Sequence, residues 1–201
     1  LAKKMDITHI DSGSMYRATA FYMLEQGVDI NNEKEVLARL DEVNLSFEKV
    51  SGKQVIFLNG ENVEYKIRNN EVSTAASIVS LYGKLREKLV AIQRNMGENE
   101  SVIMDGRDIG TVVFKDADLK IFLVCDVRER ARRRFKEFKA KDENITLDMV
   151  VKELKERDKR DESRANSPLK KADDAIEVDS SNMSVREVVD SIDKIAGERW
   201  K

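Results

Sequence analysis

Apolar positions along the chain change their period several times, and each change predicts an element. Ile7 to Ile10 is a short apolar-rich run, Asp11-Ser12-Gly13 is a turn signal, and Ser14 to Gln26 carries apolar residues at helical spacing until Gly27 stops it. A second helical pattern runs from Glu33 to Val43, with Val36, Leu37 and Leu40 on one face. The period then becomes two. Leu45 to Val50 and Gln54 to Leu58, separated by Ser51-Gly52, predict a hairpin, and Asn59-Gly60 is a second turn before Glu61 to Glu64. Helical spacing returns from Asn69 to Met96, with a break near Ser80 to Gly83.

Two short apolar runs, Ser101 to Asp105 and Leu119 to Cys125, predict buried strands. A charged helix from Val127 to Lys141 and another from Leu147 to about Arg160 follow the second of them. Ala175 to Asp179 is the last strand candidate, and Ser184 with Glu187 has capping-box spacing ahead of a helix from Val185 to Arg199. Leu1 to Lys4 read as the last turn of a helix. Strands alternating with helices imply an α/β fold with a mostly parallel sheet covered on both faces, interrupted by a small antiparallel sheet. Ligand groups should then gather at the carboxyl ends of strands.

Composition narrows this picture. The 201 residues are 41% hydrophobic, enough for one well-packed core, and 36 basic against 38 acidic side chains leave a net charge of -2. That balance gives no global field for nucleic acid or an anionic membrane, so phosphate chemistry would need local basic clusters. No apolar run approaches the roughly 18 residues of a membrane span and no signal peptide is visible, so the expected location is cytoplasmic. Cys125, the single cysteine, excludes an intrachain disulfide and reads as a buried core thiol. His9, the single histidine, excludes His-His metal sites and reads as a core or surface strand residue.

Four clusters could carry chemistry. In Asp105-Gly106-Arg107-Asp108-Ile109-Gly110-Thr111, Asp105 could hold Mg²⁺ through its water shell, Arg107 could grip a phosphate, and Asp108 could accept from the amino group of a base. A polar turn with a salt bridge would use the same residues. In Asp11 to Arg17 a strand feeds a helix whose N-terminal amides could receive an anion, with Ser12 and Arg17 as polar arms; Ser12 or Asp11 could equally be an N-cap, and Tyr16 a core aromatic. Arg157, Arg160, Asp161 and Arg164 share one helix face, which suits a polyphosphate beside a ribose or a solvated helix laced with ion pairs. Arg128, Arg130, Arg132, Arg133 and Arg134 open a helix so densely that several should lack acidic partners, and Arg130 and Arg134 are the best candidates to face an anion or an aromatic ring.

Ile10 to Arg17, Thr74 to Ser77, Leu85 to Glu87, Asp105 to Phe114 and Glu156 to Arg164 together resemble bacterial cytidylate kinases in order and spacing. The resemblance covers essentially the whole chain. It implies a P-loop nucleoside-monophosphate-kinase-like three-layer fold with a central parallel sheet, a core formed by 1–30, 80–138 and 170–201, a nucleotide-binding insertion at 31–79, and a helical lid at 139–169. The activity implied is phosphoryl transfer from ATP, with Mg²⁺, to CMP and dCMP.

By the same resemblance, Ser12, Tyr16, Arg17, Ser77, Arg86, Arg107, Asp108, Arg157, Asp161 and Arg164 match the acceptor site. Arg17, Arg107 and Arg164 would bind its phosphate, Ser77, Arg86 and Asp108 the cytosine edge, and Arg157 with Asp161 the ribose. Arg130 would lie against adenine of ATP, Arg134 and Arg160 near the transferred phosphate, and Asp105 would be the second-sphere magnesium carboxylate. The catalytic set is then Arg107, Arg134, Arg160 and Arg164, with no general base required.

One departure stands out: none of the nine glycines lies in the phosphate-binding motif G-x-x-x-x-G-K-[ST] with which the family pattern begins. The expectation is that roughly 20 to 25 residues holding that loop precede Leu1. A catalytically inactive CMP-binding module and a kinase for another acceptor, such as UMP or shikimate, are the alternatives; nucleic-acid binding is weaker, with aromatics at only 6%. The expected state is a monomer.

Overall fold

A computed structural model describes residues 1–51, 53–98, 100–139 and 145–200. The elements follow the predicted order. A short helix α1 (Ala2–Met5) leads into β1 (Thr8–Asp11) and then α2 (Ser12–Glu25), which starts where the Asp11 side chain accepts from the Ser14 amide at 3.0 Å. Gly27 takes φ +65° just beyond the end of α2, as a helix stop requires. α3 (Glu33–Ala38) is capped by Asn32 and is shorter than its pattern suggests, because Leu40–Glu42 tighten into a 3₁₀ turn.

The two-residue period gives the antiparallel strands β2 (Leu45–Val50), β3 (Lys53–Leu58) and β4 (Glu61–Asn62). Asn59 and Gly60 both adopt positive φ between β3 and β4, the conformation for which that dipeptide is suited. The long helical pattern divides as expected into α4 (Asn70–Val79) and α5 (Gly83–Gly97).

β5 (Val102–Asp105) pairs in parallel with β1, placing Asp11 beside Asp105. β6 (Ile121–Val124) pairs in parallel with β7 (Ile176–Asp179). Between β6 and β7 lie α6 (Val127–Lys139) and α7 (Leu147–Ser163), and α8 (Val185–Arg199) follows with the predicted capping box closed in both directions. The predicted end of α6 at Lys141 and the start of the expected lid at 140–144 lie outside the described residues. Where buried strands are predicted, β5 and β6 have no fully buried position, and Leu123 is 53% exposed. Each has one strand neighbour among the described residues, so it is only partly covered.

Among the described residues, packing gathers into two clusters rather than one core. The larger joins Met15, Ala18 and Met23 of α2 to Ile56 and Leu58 of β3, Val72 and Val79 of α4, and Leu85 and Leu89 of α5. The segment 31–79 therefore buries its apolar side directly against α2 and α5. The smaller cluster, Ala131, Ile145, Val150 and Leu154, holds α6 to α7. Burial of this kind stabilises by roughly 25 cal/mol per Å² of apolar surface. Here it fixes α2, α4 and α5 as the platform on which the polar residues stand.

Candidate functional site

Asp11 and Asp105 stand abreast at the carboxyl ends of β1 and β5, but their environments differ. Asp11 caps α2 and accepts from Arg17 Nη2 at 2.6 Å, with Arg68 at 3.7 Å. Asp105 is largely exposed, with Oδ1 2.6 Å from Nε2 of His9. That hydrogen bond raises the His9 pKa above its ordinary value despite the opposing effect of burial. His9 is thus a half-exposed strand residue with an acidic partner. The Ser12 hydroxyl donates to the Asp105 carbonyl at 2.7 Å, tying the start of α2 to the end of β5. Gly106 makes this approach possible, since a Cβ there would meet Ser12 Oγ and come within 2.8 Å of Ile109.

Beyond Gly106 the chain makes one π-helical turn, Ile109–Val113, whose amides at 111, 112 and 113 all converge on the Asp108 carbonyl. The turn leaves the Asp108 side chain buried, where it accepts from Nη2 of Arg86 while Nη1 of Arg86 donates to the Ser80 carbonyl at 3.2 Å. The Arg86 guanidinium lies 5.4 Å from the centre of the Tyr16 ring. Burial pushes the Tyr16 hydroxyl up to about 12.

Asp161 of α7 is buried and approached by Arg107 at 3.0 Å and by Arg157 and Arg164 at 3.8 Å each. Arg164 also donates to the Ser167 carbonyl at 2.6 Å. Burial, then the like charge of Arg107, push Arg157 down to about 10, and burial followed by Arg86 lowers Arg164. Tyr16 Oη, Arg17 Nε, Arg86 Nε, Arg157 Nε and Arg164 Nη2 are buried without a hydrogen-bond partner. So many unsatisfied atoms in one place are costly unless a polar ligand completes them. The ten expected acceptor-site residues thus divide between the β1–α2 junction (Ser12, Tyr16, Arg17), α4 and α5 (Ser77, Arg86), the loop after β5 (Arg107, Asp108), and α7 with its C-cap (Arg157, Asp161, Arg164).

The basic helix α6 differs from its sequence reading. Instead of several arginines lacking acids, Arg130 forms a two-pronged pair with Asp158 at 2.9 and 2.7 Å, Arg132 and Arg133 approach Glu129 at 3.5 and 3.1 Å, and Arg134 pairs with Glu153 at 2.9 Å. The bond to Asp158 raises the Arg130 pKa. The acids come largely from α7, which packs on α6, so the local density of arginine in the sequence overstated the imbalance. Arg134 reaches α4 as well, donating to Asn70 at 3.0 Å, and Arg160 Nε donates to the Ser77 hydroxyl at 3.1 Å. Cys125, read as a buried thiol, is partly exposed because it follows β6 on the incompletely covered pair. Asn70, Ser80, Glu153 and Asp158 were absent from the sequence candidates; Asp158 lies within the run Glu156 to Arg164 but was given no role, and no local motif marks the other three.

No group of three or more His, Cys, Asp or Glu side chains among the described residues could cage a metal. Asp105, exposed and with one oxygen held by His9, fits the water shell of a hydrated cation but not a protein-built cage. No helix among the described residues is long and apolar enough to cross a membrane.

The profile of the family described as cytidylate kinase matches residues 1–198. A cytidylate kinase of Fusobacterium nucleatum is 44% identical over 194 residues, which span 96% of this chain and 87% of that protein. Cytidylate kinases of Bacillus thuringiensis and Bacillus cereus are each 43% identical over 192 residues, spanning 96% of this chain and 85% of theirs.

Proposed function

Because this chain belongs to the cytidylate kinase family, we propose that it transfers the terminal phosphoryl group of ATP to CMP and dCMP, giving ADP and CDP or dCDP. The observation that carries the reading is the buried Arg86–Asp108 pair set beside an excess of arginine charge. In ion pairs among the described residues, Arg17, Arg86, Arg107, Arg157 and Arg164 meet only Asp11, Asp108 and Asp161, with Asp11 shared with Arg68, and Arg160 meets the Ser77 hydroxyl instead, so these six cations share three anions. A nucleoside monophosphate brings two negative charges and several hydrogen-bonding edges to such a pocket.

In this reading Arg17, Arg107 and Arg164 bind the acceptor phosphate, and Ser12 and Tyr16 line its approach. Ser77, Arg86 and Asp108 read the cytosine edge, Asp108 accepting from the exocyclic amino group. A base without that amino group leaves a buried carboxylate oxygen unpaired, which is the costly kind of mismatch. Arg157 and Asp161 meet the ribose hydroxyls.

On the donor side Arg130 faces adenine, and Arg134 and Arg160 neutralise charge on the migrating group. Arg107 and Arg164 complete the catalytic set. Asp105 would hold hydrated Mg²⁺, whose contribution when bound is to neutralise the donor phosphates. In-line positioning and charge neutralisation suffice for this transfer, so no general base is assigned. The segment 31–79 acts as the nucleotide-binding insertion and 139–169 as the lid over the remaining core.

A coupled assay of ADP release with ATP and Mg²⁺, comparing CMP, dCMP and UMP, tests the reading. Turnover of CMP and dCMP well above UMP is expected, with discrimination lost in Asp108→Asn; UMP preferred over CMP would overturn the assignment of Asp108.

A further inference from the structure

Among the arginines around the site, Arg160 is held differently. Arg17 has Asp11, Arg86 has Asp108, Arg107 has Asp161, Arg130 has Asp158 and Arg134 has Glu153. Arg160 is tied instead to a neutral oxygen, the hydroxyl of Ser77 at 3.1 Å, and forms no ion pair among the described residues. A charged donor on a hydroxyl is bound more weakly than one on a carboxylate. Of these arginines, Arg160 is the one most readily given up to an incoming anion.

Its partner is just as telling. Ser77 is buried on α4, and its carbonyl accepts from Ser80 Oγ, while the Ser80 carbonyl accepts from Arg86, the partner of buried Asp108. The Ser77 carbonyl is thus linked to the polar centre assigned above to the base, while its hydroxyl, on the same buried residue, is occupied by an arginine from α7. A second tie, Arg134 Nη2 to Asn70, lies seven residues earlier on α4, two turns away on the same helix face and roughly 10 Å along it. The contacts of α6 and α7 with α4 thus include one at the residue assigned to the base and one two turns away from it.

We infer that Arg160 plugs the acceptor pocket through Ser77, and that entry of the cytosine base displaces it, releasing this arginine toward the phosphates only once the acceptor is seated. The inference rests on the proposed role of Ser77 in reading the base. The Arg134–Asn70 tie keeps α6 and α7 registered on α4 while Arg160 exchanges partners. Physically, the plugged state taxes binding: apparent affinity is reduced by the fraction of molecules in which Ser77 is free. In return, a charge-stabilising group reaches the reaction only when there is an acceptor to phosphorylate.

The tax gives a prediction opposite in sign to that for a simple ligand residue. Calorimetric titration of the full chain with CMP in the absence of ATP should show Arg160→Met binding about five- to tenfold more tightly than wild type, the order expected for one charged hydrogen bond no longer to be broken. In a Ser77→Ala background the same substitution should bring no gain. Arg160→Gln, which also removes the guanidinium, should repeat the pattern, and thermal melting of each variant establishes that it folds. Unchanged or weaker CMP binding by folded Arg160→Met, or an equal gain in the Ser77→Ala background, overturns the plug while leaving the acceptor site standing. Absence of CMP binding by the wild-type chain overturns the acceptor site itself and the plug with it.

Discussion

Arg86 and Asp108, 22 positions apart, form an ion pair in which the two side chains are only 4% and 6% exposed. The arginine is supported by the Ser80 carbonyl and stacked near Tyr16, and the aspartate is set by the π-helical turn that follows it. Neither partner can lose the other without leaving a charge in a medium that solvates it poorly.

Removing one partner should therefore be costly. Asp108→Leu or Arg86→Met is expected to lose about 3–5 kcal/mol of unfolding free energy, whereas the double variant Arg86→Met/Asp108→Leu loses less than the sum. Chemical denaturation of the four proteins measures the coupling, and simple additivity would show that the pair does not act as a unit.

Gly106→Ala tests the junction between α2 and β5. The new methyl would press on the Ser12 hydroxyl, which is bonded to the Asp105 carbonyl, and on Ile109 at 2.8 Å. Relief requires the 105–109 loop to shift, at a cost of about 1–3 kcal/mol. Because Arg107 and Asp108 move with that loop, CMP affinity should fall together with the melting temperature; a variant that melts lower but binds CMP normally would separate the loop from the pocket.

Arg157 carries its charge at a cost to the fold. Its folded-state pKa of about 10 lies below its ordinary value, so the protonated form is disfavoured by folding. That penalty is fully present below about pH 10 and is relieved only as pH rises above it toward the ordinary value; at neutral pH it is constant. Arg157→Met, measured without nucleotide, should accordingly stabilise the protein by about 1–3 kcal/mol. A destabilised variant would contradict this.

His9 should titrate visibly. Its pKa is raised chiefly by the hydrogen bond to Asp105, so the stabilisation it contributes is fully present below about pH 6.5 and is lost as pH rises through the higher folded-state value. Proton NMR of this single imidazole should give a midpoint above 6.5 in the wild type, returning toward 6.5 in Asp105→Asn. A midpoint that ignores the Asp105 substitution would place the cause elsewhere.

Local order along the chain is legible in the residue pattern itself. The alternating run at 45–58, Asn59-Gly60, the Ser184 capping box and the break before Gly83 each act through residues a few positions apart, and each appears where its pattern puts it. The ordered motifs from Ile10 to Arg164 also hold Tyr16, Arg86, Asp108, Asp161 and Arg164, which packing brings near one another. What the chain could not display locally was the choice of partners. Arg130 meets Asp158 across 28 positions, Arg160 meets Ser77 across 83, and His9 meets Asp105 across 96. Helices and turns follow from steric and hydrogen-bonding preferences that short segments carry with them. An ion pair is decided by which charges the packed helices and strands bring within a few ångströms and shield from water, and only the assembled α2–α4–α5 platform with α6 and α7 laid against it makes that decision.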